Sequence, residues 1–476
     1  MTRPSITETT QGDPEYPTSM TTPATEGGGG QYGPEEKDQD IPLWRKCVIT
    51  FVVSWMTLVV TFSSTCLLPA APEIANEFDI TTETINISNA GVLIAMGYSS
   101  LIWGPMSQLV GRRTSYNLAI LMLTACSAGT AAAKNKEMFI AFRVLSGLTG
   151  TSFMVFGQTV LADIFEPVYR GTAVGFFMAG TLSGPAIGPC VGGIIVTFTS
   201  WRVIFWIQLA MSGLGLLLSL LYFPKIEGSG DKDSTVSKQN RLVTIISKFS
   251  PTNVLKQWAY PNVFLADLSC GLLAITQYSI LTSARATFNP RFHLSTALVS
   301  GLFYIAPGAG FLIGSVVGGK LSDRTVRMYI AKRGFRLPQD RLNSGLVTLF
   351  AVLPAGTLVY GWTLEEEKGG MVVPIIAAFF AGWGLMGSFN CLNTYVAEAL
   401  PQNRSAVIAG KYMIQYSFSA GSSGLVIPVI DTLGVGWTFT LCVVASTIGG
   451  LITAAVARWG LNMQRWAERA FDIPAQ

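Results

Sequence analysis

The chain has 476 residues, half of them hydrophobic and only 13% charged, with a mean hydropathy of +0.44. Soluble domains carry about 25% charged residues, so the deficit points to lipid as the main solvent. A net charge of +4, spread along the chain, argues against a nucleic-acid or acidic partner, and seven cysteines without a Cys-x-x-Cys pair exclude a disulfide scaffold or a zinc site.

Residues 1–44 are rich in Thr, Pro, Glu and Gly and contain no apolar h-region, so they are expected to form a disordered tail and not a cleaved signal peptide. From Cys47 onward, twelve apolar runs approach the ~20 residues needed to cross a bilayer. They lie near 47–68, 85–103, 115–133, 138–162, 171–196, 202–223, 263–284, 297–318, 342–362, 371–395, 405–429 and 436–457. A polar segment at 224–261 divides them into six and six. The expected fold is therefore all-α, with a bundle at 45–223, a central loop at 224–261, a second bundle at 262–460 and a tail at 461–476. If both termini are cytoplasmic, the inside segments hold 24 Lys and Arg and the outside loops 6. That is a clear positive-inside bias.

The fifth run holds the stretch from Gly180 to Gly193. Its glycines at 180, 184, 188 and 192 fall four apart and form one smooth stripe on a helix, with Pro185 and Pro189 beside it. Proline in a helix interior costs ~3 kcal/mol, which neighbouring helices in a membrane can offset. Such a stripe lets another backbone approach closely. A second stripe, Gly310, Gly314 and Gly318, occurs in the eighth run, and the two are expected to pack against each other between the halves.

Gly104-Pro105-Met106-Ser107 after the second run and Gly319-Lys320-Leu321-Ser322 after the eighth match with an offset of 215 residues. A duplicated six-span unit is how many secondary transporters are built, with the substrate site between the halves. Residues 44–458 resemble the major facilitator superfamily. Gly104 to Arg113, with Gly111, Arg112 and Arg113, is similar to its loop motif, although the acidic position is Gln108; Asp323 and Arg324 keep the charges in the second half. Arg143-Val144-Leu145-Ser146-Gly147 resembles the span-4 arginine motif, and 180–193 the span-5 signature of proton-driven antiporters. There the usual Gly-Gly reads Gly188-Pro189. Leu68 to Ile74, Trp201-Arg202 and Asp340-Arg341-Leu342 are similar to the fungal twelve-span drug:proton antiporters. The resemblance implies a non-enzymatic, multi-pass plasma-membrane exporter of a small organic molecule, energised by a proton gradient without cofactor or metal and acting as a monomer. It leaves open an organic-acid exporter, a proton-coupled importer or a transporter-like receptor.

Candidate pathway residues follow from charge inside the membrane, which is expensive and so tends to be functional. Arg143 is read either as a proton-coupling or anion-attracting residue or as an anchor on carbonyls. Asp163, Asp267 and Glu398 are candidate proton carriers. Lys411 would balance Glu398, bind an anion or reach the headgroups. Spans 1, 4, 7 and 10, which the resemblance places innermost, offer Thr57, Thr61, Gln158, Gln277, Tyr278, Asn390, Asn393 and Tyr395 as a mildly polar pocket or as interhelical ties. His293 is expected on the surface, and Asn86-Ile87-Ser88 is a candidate glycosylation sequon beside span 2. No Gly-x-x-x-x-Gly-Lys-Ser/Thr nucleotide loop is present.

Overall fold

A computed structural model describes residues 42–165, 167–222, 252–293, 297–335, 337–400 and 403–470. The expected tail 1–41 and most of the central loop lie outside these residues. Span 1 is Leu43–Thr65, followed by a short helix Ala71–Glu77. Span 2 is Thr82–Val110, span 3 Arg112–Ala131, span 4 Lys136–Gly147 with Gly150–Ile164, span 5 Pro167–Phe198 and span 6 Arg202–Tyr222. The second half repeats the order: span 7 is Pro261–Arg291, span 8 Ala297–Phe303 with Ile305–Arg333, and span 9 Leu342–Glu365 through a π turn at Thr348–Val352. Spans 10, 11 and 12 are Val372–Ala399, Arg404–Leu433 and Val435–Ala470.

Eleven of these segments are long and apolar enough to cross a membrane. Span 3 is the twelfth, its hydropathy diluted by Arg112, Arg113 and Asn117. Helix ends are set by local chemistry. Thr81 and Asn135 accept from the backbone N–H three residues on, capping spans 2 and 4. Gly111, at φ 86°, lets the chain leave span 2 and enter span 3 directly. The motif Gly104 to Val110 is thus helix, not loop, and so is Gly319 to Arg324. Two boundaries also move. Span 12 runs to Ala470, so the expected tail at 461–476 begins as helix, and Thr252–Ala259 at the end of the central loop is helical.

The two halves pack by the same scheme. Span 1 lies on span 5, span 2 on span 4 and span 3 on span 6, matched by 7 on 11, 8 on 10 and 9 on 12. Between the halves, span 2 meets span 11 and span 5 meets span 8. Twelve crossings put Leu43 and Ala470 on one side, the near face; the opposite side is the far face.

The glycine stripes do not pack on each other. A Cβ at Gly180, Gly184, Gly188 or Gly192 would strike Ser54, Thr61, Thr65 or Cys66, all from span 1 or its end. One at Gly310, Gly314 or Gly318 would strike Phe379, Trp383 or Gly387 of span 10. Both stripes therefore weld helices inside their own half. Periodicity shows that a face is smooth but not which neighbour uses it. The contact between halves is made by an adjacent face of span 5: a Cβ at Gly308 would fall 2.6 Å from Ala186 Cα, and one at Gly301 3.0 Å from Gly193 Cα and 3.3 Å from Pro189 O.

Candidate translocation pathway and its gates

Arg143 is 1% exposed and ties four helices of the first half together. Its Nη1 donates to Ser63 O at 2.9 Å in span 1, and its Nη2 to Asn89 Oδ1 at 3.1 Å in span 2. The guanidinium lies 5.5 Å from the Phe205 ring centre, and Gln208 Nε2 donates to Ser63 Oγ at 2.8 Å, both from span 6. Every one of these acceptors is neutral. The geometry is that of the anchor reading.

In the second half, Asp267 and Lys411 are 0% and 3% exposed. Trp258 Nε1 donates to Asp267 Oδ2 at 3.2 Å, while Asp267 Oδ1 has no partner. Lys411 donates to Asn393 Oδ1 at 2.8 Å, and its ammonium sits 3.6 Å from the Tyr412 ring centre. Neighbouring Gly410 packs on this group, since a Cβ there would lie 3.6 Å from Asp267 Oδ2. Asn262 donates to Tyr395 Oη at 3.0 Å, leaving its own Oδ1 unpartnered. Lys411 thus does not balance Glu398.

Glu398 instead accepts from Arg341 Nε at 3.1 Å, and Arg341 Nη1 donates to Asp323 Oδ1 at 3.1 Å and Ser322 Oγ at 3.3 Å. This near-face clamp joins spans 8, 9 and 10 and accounts for Asp340-Arg341 as a motif: Asp340 is itself held by Arg333 and by the Leu337 N–H. Arg324 is exposed beside it. In the first half, Arg113 donates to Leu220 O at 2.6 Å and Arg112 is also engaged. The Gln108 and Asp163 side chains lie outside the described residues.

Of the pocket candidates, several prove to be ties. Asn390 donates to Ser315 O at 2.6 Å, bonding span 10 to span 8, and the Thr57 and Thr61 hydroxyls bond back to their own helix. Gln158 is half-buried; Gln277 is buried with an unpartnered Oε1. Tyr278 of span 7 reaches Ser64 of span 1 across the halves, and with Tyr412 and Tyr416 forms a tyrosine cluster near mid-depth. Tyr412 and Tyr416 carry no sequence signal beyond their type, because the resemblance places spans 1, 4, 7 and 10, and not span 11, innermost.

The far mouth holds a pair that sequence reasoning missed. Glu73, in the short helix after span 1, accepts both Arg285 guanidinium nitrogens of span 7, at 2.6 and 2.7 Å. Bidentate pairing of this kind fixes geometry as well as charge. It bridges the halves over 212 residues of sequence, and Arg285 lies inside the span-7 helix just past the apolar run at 263–284. Trp201-Arg202 clamps the same region from within the first half, with both side chains donating to Glu77 at 2.5 Å. Asn86 is 8% exposed in the second turn of span 2, so the side chain of the sequon is covered in this fold. His293 is exposed, as expected.

Comparison with known proteins agrees with this architecture. The sequence model of the Major Facilitator Superfamily matches residues 53–424. The efflux pump radE of Floropilus chiversii is 27% identical, over 85% of this chain and 79% of that protein. The MFS antiporter QDR3 of Candida albicans is 22% identical, over 90% and 80%. Among solved structures, the human organic anion transporter MFSD10 superposes with a TM-score of 0.66 at 15% identity, covering 87% of this chain and all of that one. With a family match over most of its length and two six-helix halves facing each other, the chain belongs to the Major Facilitator Superfamily and is a multi-pass membrane transporter, not an enzyme.

Proposed function

We propose that the protein exports a small organic compound, such as a drug, toxin or secondary metabolite, across the plasma membrane in exchange for protons. The observation that carries this reading is the placement of the contacts between halves. They run from the far mouth, at Glu73–Arg285, through Gly301 on Gly193 and Ala90 beside Gly424, to mid-depth, where Gly97 abuts Tyr416. A seam closed at the far mouth by a breakable ion pair is one state of an alternating-access cycle, and rocking about Gly308 and Ala186 would supply the other.

Proton coupling is supported by Asp267, a carboxyl buried at span depth beside a buried cation. The outward direction draws on relatives named as an efflux pump and an antiporter. The lysine and arginine count supports a cytoplasmic near face. An organic-acid cargo is the second reading, favoured by Lys411; Arg143 is already consumed by neutral acceptors.

The test compares native cells with a deletion strain for low-molecular-weight compounds inside and in the medium. The proposal expects at least one compound to shift from medium to cytoplasm on deletion. It also expects a protonophore to reproduce that shift in the parent. Unchanged profiles, or a shift that the protonophore leaves alone, would remove it.

A further inference from the structure

Among the described residues only two acids have buried side chains, Asp267 and Asp340. Asp340 is spoken for by Arg333 and a backbone N–H. Four more carboxylates near the spans are held by arginine: Glu398 and Asp323 by Arg341, Glu73 by Arg285, Glu77 by Arg202. Asp267 alone is both buried and free of a cation in ionic contact, with one oxygen unpartnered. The one buried lysine among the described residues, Lys411, lies near enough to act on it electrostatically, yet rests on Asn393 and Tyr412.

Two opposite charges left buried and apart are costly, so a proton on the carboxyl or a direct contact is the physically cheaper state. The neighbourhood offers both. Span 11 supplies Lys411, span 10 Tyr395 and Cys391, span 7 Cys270, and the segment before it Trp258; none of these but Lys411 carries a positive charge. The unpartnered Asn262 Oδ1, in the same cluster through Tyr395, is a second buried acceptor.

We infer that Asp267 and Lys411 are the proton-exchange couple of this transporter, operated by a change of partner at Lys411; this rests on the proton-driven reading above. In the arrangement seen, Lys411 stays on Asn393 and Asp267 keeps its proton. When spans 7 and 11 shift, the Lys411 ammonium moves onto Asp267. The Asp267 O–H bond then breaks, its electron pair stays on the carboxylate, and the proton passes to water. The reverse shift reloads it from the other side.

The test follows the far mouth directly. Full-length protein in phosphatidylcholine vesicles carries spin labels on unnatural keto side chains at Lys134 and Lys368, exposed positions on the far side of each half. The interlabel distance distribution is recorded from about pH 5 to pH 8. The parent should redistribute with pH. Asp267→Asn should lose that response, Asp267→Glu should restore it, and Asp431→Asn, at an exposed site, should leave it unchanged. Lys411→Gln should keep the response but move its midpoint toward alkali by about one pH unit, a tenfold change. If Asp267→Asn does not fold, the Lys411→Gln midpoint carries the test. A full parental response in Asp267→Asn, or an unmoved midpoint in Lys411→Gln, overturns the couple. A parent without any pH response would instead sink the proton-driven reading itself.

Discussion

The two halves share a packing scheme but bury charge differently. In the first, Arg143 is a lone cation whose hydrogen bonds all end on neutral atoms of spans 1 and 2. In the second, Asp267 and Lys411 bring both signs into one cluster without joining them. An arginine does not give up its proton in a protein, so a guanidinium on fixed carbonyls is a strut. A carboxyl and an amine within reach of each other can exchange protons and partners. On the proposed proton-driven reading, the difference puts rigidity in one half and coupling in the other.

The largest expected effect comes from removing the strut. Arg143→Ala leaves Asn89 and Ser63 without their donor inside a cavity, and should lower stability by about 3–5 kcal/mol, read as a fall in unfolding temperature and abundance. Arg143→Lys should recover only part, because one ammonium cannot span both acceptors. Full stability in Arg143→Ala would erase the contrast between the halves.

Two glycines sharpen it next. Gly184 faces Thr61 inside the first half, whereas Gly308 faces Ala186 across the seam. Gly184→Leu should destabilise the fold by about 3 kcal/mol. Gly308→Leu should leave each half folded but slow export, measured as compound retained in cells at equal surface abundance. Equal loss of stability in both would mean that the seam is as rigid as the bundles.

A smaller effect is expected at the far mouth. Glu73 is about a third exposed, so a double-mutant cycle of Glu73→Gln and Arg285→Gln should give a coupling near 1 kcal/mol, weakened by salt. The smallest prediction is a null one: Asn86→Gln should not change gel mobility, because that side chain is buried.

Much of this could be read before any coordinates. Hydropathy gave the crossings, the repeat gave the two halves, and the cost of charge in lipid picked out Arg143, Asp267 and Lys411. Partners were harder. Lys411 had several acids within plausible reach, and only the packing of Gly410 on Asp267 separates that carboxyl from Glu398. The glycine stripes announced close approach but not the helix that approaches. Glu73 and Arg285 are 212 residues apart, and no local pattern links them. Span ends also drifted, since Gly104 to Val110 is polar enough to look like loop yet continues the helix until Gly111.

The central claim is that the far mouth must open for each transport cycle. The direct measurement ties Glu73→Cys to Arg285→Cys with a short bis-methanethiosulfonate linker and follows efflux of the compound found by the deletion comparison. The account predicts that cross-linking stops efflux and that dithiothreitol restores it. Undiminished efflux with the tether intact would contradict it.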